Sequence, residues 1–310
     1  MTRQTRTVGY IIVSMSSRRW FPFLLLFLAG CQAPPQSSTP PRAVSTAKVF
    51  PRDDLGRKIA LKSAAKRVIV IGPGAVETVF ALGAGKQIVG RDSFADFPPA
   101  AKKIAIAGDF KGPSVEKSIA LRPDLVIVQG ETWDKARVDK WQGQIGVPVA
   151  ALTPTNLAGV SRNFEQMSAW LGSDPKRAQT LAASLQIAPV SPKKSAFIEI
   201  GRSPLWSAGS GTLVDDVLRA GGFSNVAASV KGYQPFGLES LLVRQPAVYV
   251  VTSDKKSADV VRELRVSPAL SKLQSVREGR VLVIKSDFLL RPGPRLKQGV
   301  EMLRKAQSGF

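Results

Sequence analysis

Apolar positions along the chain recur with two periods, short continuous runs suited to buried strands and i, i+3, i+4 spacings suited to helix faces. Val49 to Leu61 alternates around Asp53-Asp54-Leu55-Gly56, which predicts a hairpin. Arg67 to Ile71 is a β-branched run closed by Gly72-Pro73-Gly74, and Val76, Val79, Phe80 and Leu82 follow at helical spacing. Strand, turn and helix are the simplest reading. Further strands are expected at Gln87 to Gly90, at Asp124 to Val128 after a helix over Val115 to Leu121, and at Val147 to Leu152. Strands that alternate with helices imply a parallel sheet of the α/β class. From Asn156 to Gln186 the spacing is helical, with a break at Gly172-Ser173-Asp174-Pro175, where Ser173 or Asp174 can cap a new helix and Pro175 suits its first turn.

After Pro192 the alternation resumes, with strands at Ser195 to Ile200, Ala247 to Val251 and Arg280 to Ile284 and helices at Leu213 to Leu218, Ala258 to Leu264 and Arg295 to Ala306. The two halves also match directly. Pro113 to Val128 aligns without gaps on Phe236 to Val251, so that Glu116 falls on Glu239 and Pro123 on Pro246. The expected organisation is an N-terminal α/β lobe over 48–172, a connecting helix over 173–192 and a C-terminal α/β lobe over 193–310. Two such lobes make a cleft, and ligands of open α/β sheets sit at the carboxyl ends of strands.

Residues 1–30 carry Arg3, Arg6, Arg18 and Arg19, no acidic residue, and the apolar run Trp20 to Leu28. This is the pattern of a signal peptide, too short to be a spanning helix. Leu28-Ala29-Gly30-Cys31 resembles the lipobox of bacterial lipoproteins, whose cysteine is lipidated and becomes the first mature residue. Met15 gives a more usual signal length than Met1. Residues 31–47, rich in Pro, Ser, Thr and Ala, cannot bury enough apolar surface to fold and form a tether. The chain is thus expected on the extracytoplasmic side of the cell envelope, anchored at Cys31.

Composition narrows the chemistry. Histidine is absent and cysteine occurs once, which removes His general bases, paired nucleophiles and His/Cys zinc sites. Forty-four Lys and Arg against 23 Asp and Glu give +21, and loss of the signal's four arginines leaves +17. A basic envelope lipoprotein that holds nucleic acid or surface polymers is one reading of that charge, but the cations are scattered and no nucleic acid is expected as partner. Gly72-Pro73-Gly74 fails as a dinucleotide loop because Glu77 would face the phosphate. Asp53-Asp54 in a turn and Asp215-Asp216 on an amphipathic helix imply no catalysis, and neither enzyme activity nor cofactor is expected.

Gly72 to Gly85, Pro98-Pro99, Pro113 to Val128, Pro204 to Gly209, Gly221-Gly222 and Leu289 to Arg295 together resemble the solute-binding proteins of ABC importers for cobalamin, ferric siderophores and haem. The resemblance implies two Rossmann-like lobes bridged by a single long helix, here Asp174 to Ile187, a transported ligand in the cleft, and partners in a permease dimer with its ATPase subunits. Phe197 to Gly209 and Ser286-Asp287-Phe288 are most similar to the cobalamin binders. A ferric siderophore is the alternative ligand. Haem is least favoured, since Phe97 stands where many relatives carry a tyrosine and no histidine exists; Val128-Gln129-Gly130 also lacks a tryptophan common in cobalamin binders.

A corrin is wide, flat and partly apolar, and aromatic faces bury it at small entropic cost. Trp206, Phe97, Phe288, Tyr233 and Phe236 are the candidates, with Phe94 and Trp133 behind them. Arg202 and Arg291 are placed to pair with a ligand amide, phosphate, catecholate or carboxylate. The resemblance gives Glu116 and Glu239 a further role, one on each lobe top, against arginines of the permease.

Overall fold

The computed structural model describes residues 50–188 and 190–310. The signal segment 1–30, the lipidation at Cys31, the tether 31–47 and Val49 lie outside the described residues.

The first lobe runs β1 (Val68–Ile71), α1 (Pro73–Ala81), β2 (Ile88–Asp92), β3 (Ile106–Asp109), β4 (Gly112–Pro113), α2 (Val115–Leu121), β5 (Leu125–Gln129), α3 (Lys135–Ile145) and β6 (Val149–Leu152). Its strands lie in the order β4-β3-β2-β1-β5-β6, parallel except for β4. Every residue of β1, β5 and β6 is buried, which is what unbroken runs such as Val68-Ile69-Val70-Ile71 dictate when helices cover both faces.

Two helices follow, α4 (Leu157–Leu171) and α5 (Pro175–Ser184). Asn156 caps α4, Gly172 ends it in the left-handed region, and Asp174 caps α5 with Pro175 at its first position. The break therefore falls where Gly172 to Pro175 placed it. α5 stops three residues before Ile187, and the longer helix of the connection is α4.

The second lobe runs β7 (Lys194–Glu199), β8 (Gly201–Arg202), β9 (Leu205–Ala208), α6 (Leu213–Ala220), β10 (Phe223–Asn225), β11 (Tyr233–Pro235), α7 (Leu238–Arg244), β12 (Val248–Thr252), α8 (Ser257–Val266), α9 (Gln274–Arg277), β13 (Val281–Ile284) and α10 (Leu296–Gly309). A parallel sheet has the order β10-β7-β12-β13, and a small antiparallel one the order β11-β9-β8. The aligned repeat holds in detail. α2 and α7 carry Glu116 and Glu239 in their first turns and end on the left-handed residues Arg122 and Gln245, each followed by a proline and a buried strand.

The hairpin expected over Val49 to Leu61 is not formed, because its polar residues bind elsewhere in the fold. Asp53 accepts from the amides of Leu55 and Arg57, and the Arg57 guanidinium reaches Asp53, Asp139, Gln142 and the carbonyl of Val149. The Asp54 carboxylate takes the Thr153 amide, Asn163 and Gln166. The segment is a turn pinned onto β6 and α4.

One buried cluster spans both lobes. It passes from Val68, Ile127 and Ala150 through Val160, Phe164, Met167 and Trp170 of α4 to Ile198, Val217, Leu296 and Leu303.

Candidate functional site

Three loops at the carboxyl ends of parallel strands converge between the lobes. The β1–α1 turn brings Gly72 and Pro73, the segment after β5 brings Gln129 to Thr132, and the end of β7 brings Ile200; Tyr233 of β11 and Leu290 to Pro292 complete a cleft of about 400 Å³. Gly72 takes φ 119, and a Cβ there would stand 2.8 Å from Gln129, so the turn requires glycine. A larger recess of about 720 Å³ beside α4 and α6, between Leu157 and Arg219, contains none of the expected site residues and does not lie at strand ends. The smaller cleft is where the chemistry gathers.

Tyr233 closes one side. Its hydroxyl donates to Glu131 Oε1 at 2.5 Å, and the Leu213 amide at the start of α6 donates to Oε2 at 3.4 Å. Burial raises the Glu131 carboxyl above its ordinary range, against the two hydrogen bonds that favour the anion. Burial and the Glu131 charge push the Tyr233 phenol far up, so it remains a donor.

The other side is an ion-pair network across the seam. Glu77 of α1 has a side chain only 2% exposed, and it receives Arg295 Nε at 2.8 Å and Nη2 at 2.6 Å, with Arg291 Nη1 at 3.3 Å. Arg291 also binds Asp96 and Asp287, both at 2.8 Å, and Arg295 binds Asp287 at 3.0 Å. Burial works against the Asp96 anion, but the Arg291 hydrogen bond and charge outweigh it and hold this carboxyl below the usual range. The Arg295 guanidinium lies 4.3 Å from the Phe97 ring centroid and 5.5 Å from that of Phe288. The seam is tight between these groups: a Cβ on Gly74 would meet the Pro292 carbonyl at 2.6 Å. Gln129 Nε2 donates to that carbonyl at 2.9 Å and leaves its own Oε1 buried without a partner.

The expected residues therefore separate. Tyr233 and Arg291 line the cleft, and Phe97 and Phe288 stand beside it against Arg295. Trp206 is 37% exposed on β9, in the same small sheet as Tyr233 but outside the cleft lining. Arg202 is taken up elsewhere, by Glu199 at 2.8 Å and Glu263 at 3.1 Å. Phe236 is a core residue, 6% exposed with its ring 5.2 Å from Phe197, and cannot offer a face to a ligand. Trp133 is likewise buried, edge-on to Trp141, while Phe94 is exposed against Phe110. Glu116 and Glu239 are both exposed.

Glu131, Gln129, Glu77 and Asp96 escaped sequence reasoning. Glu77 was visible only as the carboxylate that spoils a phosphate loop. Four carboxylates, Glu77, Asp96, Asp287 and Glu131, stand here against the two guanidinium groups of Arg291 and Arg295. Of these, Glu131 and Arg291 line the cleft itself, and the other three carboxylates and Arg295 stand in the seam beside it.

Comparison with known proteins agrees with this architecture. The family described as periplasmic binding protein matches residues 68–288. The uncharacterized ABC transporter substrate-binding lipoprotein YvrC of Bacillus subtilis is 27% identical over 306 residues, 93% of this chain and 95% of its own. The vitamin B12-binding protein of Salmonella typhimurium is 28% identical over 257 residues, covering 79% and 91%. Among solved structures, the vitamin B12-binding protein BtuF of Vibrio cholerae shares the fold at a TM-score of 0.68 and 23% identity, covering 79% of this chain and 97% of its own. The periplasmic haem-binding protein BhuT aligns at a TM-score of 0.66 and 26% identity, covering 80% and 99%. With a two-lobed α/β fold, a cleft at the strand ends and a family match across both lobes, the chain belongs to the periplasmic binding protein family and is a substrate-binding protein, not an enzyme.

Proposed function

We propose that the protein is a lipid-anchored extracytoplasmic receptor that captures a cobalamin-type corrinoid between its lobes and delivers it to an ABC importer. The observation that carries this reading is that the arginines at and beside the cleft are already paired with carboxylates. A free arginine pair would suit an anionic ferric complex, but Arg291 and Arg295 are already neutralised by Glu77, Asp96 and Asp287, and Glu131 adds a further carboxylate. A corrin bearing neutral amides is compatible with that field. A catecholate siderophore or the propionates of haem are opposed by it.

The exposed rings of Trp206 and Phe97 and the half-buried ring of Phe288 supply aromatic surface for a flat macrocycle, with Tyr233 at the cleft wall. The names of the Salmonella and Bacillus relatives support the ligand class and the importer. Leu28-Ala29-Gly30-Cys31 supports an anchor on Cys31. Glu116 and Glu239, exposed at equivalent positions of α2 and α7, are the proposed contacts for a permease dimer, orienting docking more than adding affinity.

The test is tryptophan-fluorescence titration of the purified protein with cyanocobalamin, dicyanocobinamide, ferric siderophores and hemin. Saturable binding of a corrinoid is expected. Saturation by a ferric siderophore alone overturns the ligand assignment, and binding of DNA at low salt with no small ligand overturns the receptor reading.

A further inference from the structure

Within the cleft, the polar groups are unevenly divided between donors and acceptors. The Arg291 guanidinium is engaged by Glu77, Asp96 and Asp287, and the Tyr233 hydroxyl is committed to Glu131. Gln129 spends its Nε2 on the Pro292 carbonyl. Apart from the Thr132 hydroxyl, which can donate or accept, what remains uncommitted accepts. The Glu131 carboxylate has lone pairs beyond its bonds to Tyr233 and Leu213, and no Lys or Arg pairs with it among the described residues. Gln129 lines the same cleft, but its Oε1 is buried from solvent beside Gly74 in the seam, so Glu131 is the acceptor that a ligand meets. A carboxylate with spare lone pairs in a cleft gains from a ligand N–H and is opposed by a ligand carboxylate.

We infer that Glu131, held in place by Tyr233, is a specificity residue that reads the rim of the ligand, accepting hydrogen bonds from amide N–H groups and rejecting the same macrocycle when its rim carries carboxylates. The inference rests on the corrinoid reading and adds to it a discrimination that a purely apolar, aromatic pocket does not make. Sites that hydrogen-bond a particular group discriminate strongly against analogues that cannot supply it, because their buried polar atoms are then left unpaired.

The discriminating pair of probes is dicyanocobinamide, whose rim is amidated, and dicyanocobyrinic acid, whose rim bears carboxylates, each titrated at pH 7.5 against the full chain purified in detergent. The wild type is expected to favour the amide by about tenfold or more. Glu131→Gln keeps an acceptor for Tyr233, removes the charge and adds a donor, and is expected to bring the ratio to within about threefold, chiefly through tighter binding of the acid. Glu301→Gln, an exposed carboxylate on α10, changes overall charge equally and leaves the ratio at the wild-type value. Tyr233→Phe frees the carboxylate from its tether and weakens the amide ligand without removing the preference.

If both probes bind the wild type equally, or if Glu131→Gln and Glu301→Gln shift the ratio alike, Glu131 is not the reader, while the corrinoid assignment stands. If neither probe nor cyanocobalamin binds, the corrinoid assignment itself fails and this inference fails with it.

Discussion

Glu77 and Arg295 meet in a two-pronged ion pair across the seam, 218 residues apart in sequence, with Arg295 Nε on Oε2 at 2.8 Å and Nη2 on Oε1 at 2.6 Å. The Glu77 side chain is 2% exposed, so removing its partner leaves a buried charge. Glu77→Ala, which takes away a carboxylate shared by two guanidinium groups and leaves Arg295 only Asp287, is expected to cost about 3 kcal/mol in urea denaturation with the slope unchanged. The double variant Glu77→Leu with Arg295→Met is expected to recover more than half of that loss, because both charges leave together. A double variant no better than the single one would mean that the pair does not act as a unit.

Gly74 separates the seam from helix propensity. It lies on α1, where alanine is intrinsically favoured by about 1 kcal/mol, yet its added Cβ would stand 2.6 Å from the Pro292 carbonyl and 2.9 Å from Gln129 Oε1. Gly74→Ala is therefore expected to destabilise by about 1–3 kcal/mol and to widen the lobe separation seen in small-angle scattering. A stabilised variant would mean that the contact across the seam is loose.

Trp206 provides a spectroscopic handle. It is 37% exposed, while Trp133, Trp141 and Trp170 are at or below 9%. In the protein beginning at Cys31, which lacks Trp20, acrylamide should quench mainly Trp206, and a bound corrinoid should protect it. Trp206→Ala is expected to change stability by less than about 0.5 kcal/mol, since nothing of the core is lost, and to weaken the corrinoid about tenfold.

Glu131 links the cleft to pH. Burial holds its carboxyl above its unfolded value, so the folded state binds this proton more tightly, and the associated stability is present at acid pH and lost as pH rises through the folded value. The facing groups do not titrate in that window, because Tyr233 is pushed up and Arg291 is held charged by its carboxylates. Glu131→Gln in the ligand-free protein is thus expected to raise the urea midpoint at pH 7, with a gain that shrinks toward pH 4. An equal gain at both pH values would rule out the carboxylate as its source.

The parts of the fold that could be read from the sequence are those where one residue's environment is set by its neighbours in the chain. Val68 to Ile71 and Leu125 to Gln129 are continuous buried strands, and Asn156, Gly172 and Asp174 are local signals that end or start helices. The equivalence of Glu116 and Glu239 followed from the aligned repeat. α3 was missed because most of its surface is polar, although Val138, Trp141 and Ile145 form a buried stripe behind the cap Asp134. β8, β9 and β11 are two to four residues long, too short for alternation to register. Phe236 and Phe97 are both aromatics in loop-like sequence, and only packing distinguishes the core ring from the one under Arg295. The same holds for Arg202 and Arg291, whose carboxylate partners are set by tertiary placement.

The apolar cluster that passes unbroken from Val68 through Met167 and Trp170 to Leu303 would constrain how the proposed receptor signals to a permease. Close-packed interiors resist deformation, so in the proposed docking role Glu116 and Glu239 would act as a fixed gauge rather than a variable that reports occupancy. A permease resting on both carboxylates would feel the same footprint whether the receptor is loaded or empty. On that reading, what tells loaded from empty would be the cleft lined by Arg291 and Tyr233, which would either face water or be covered by cargo.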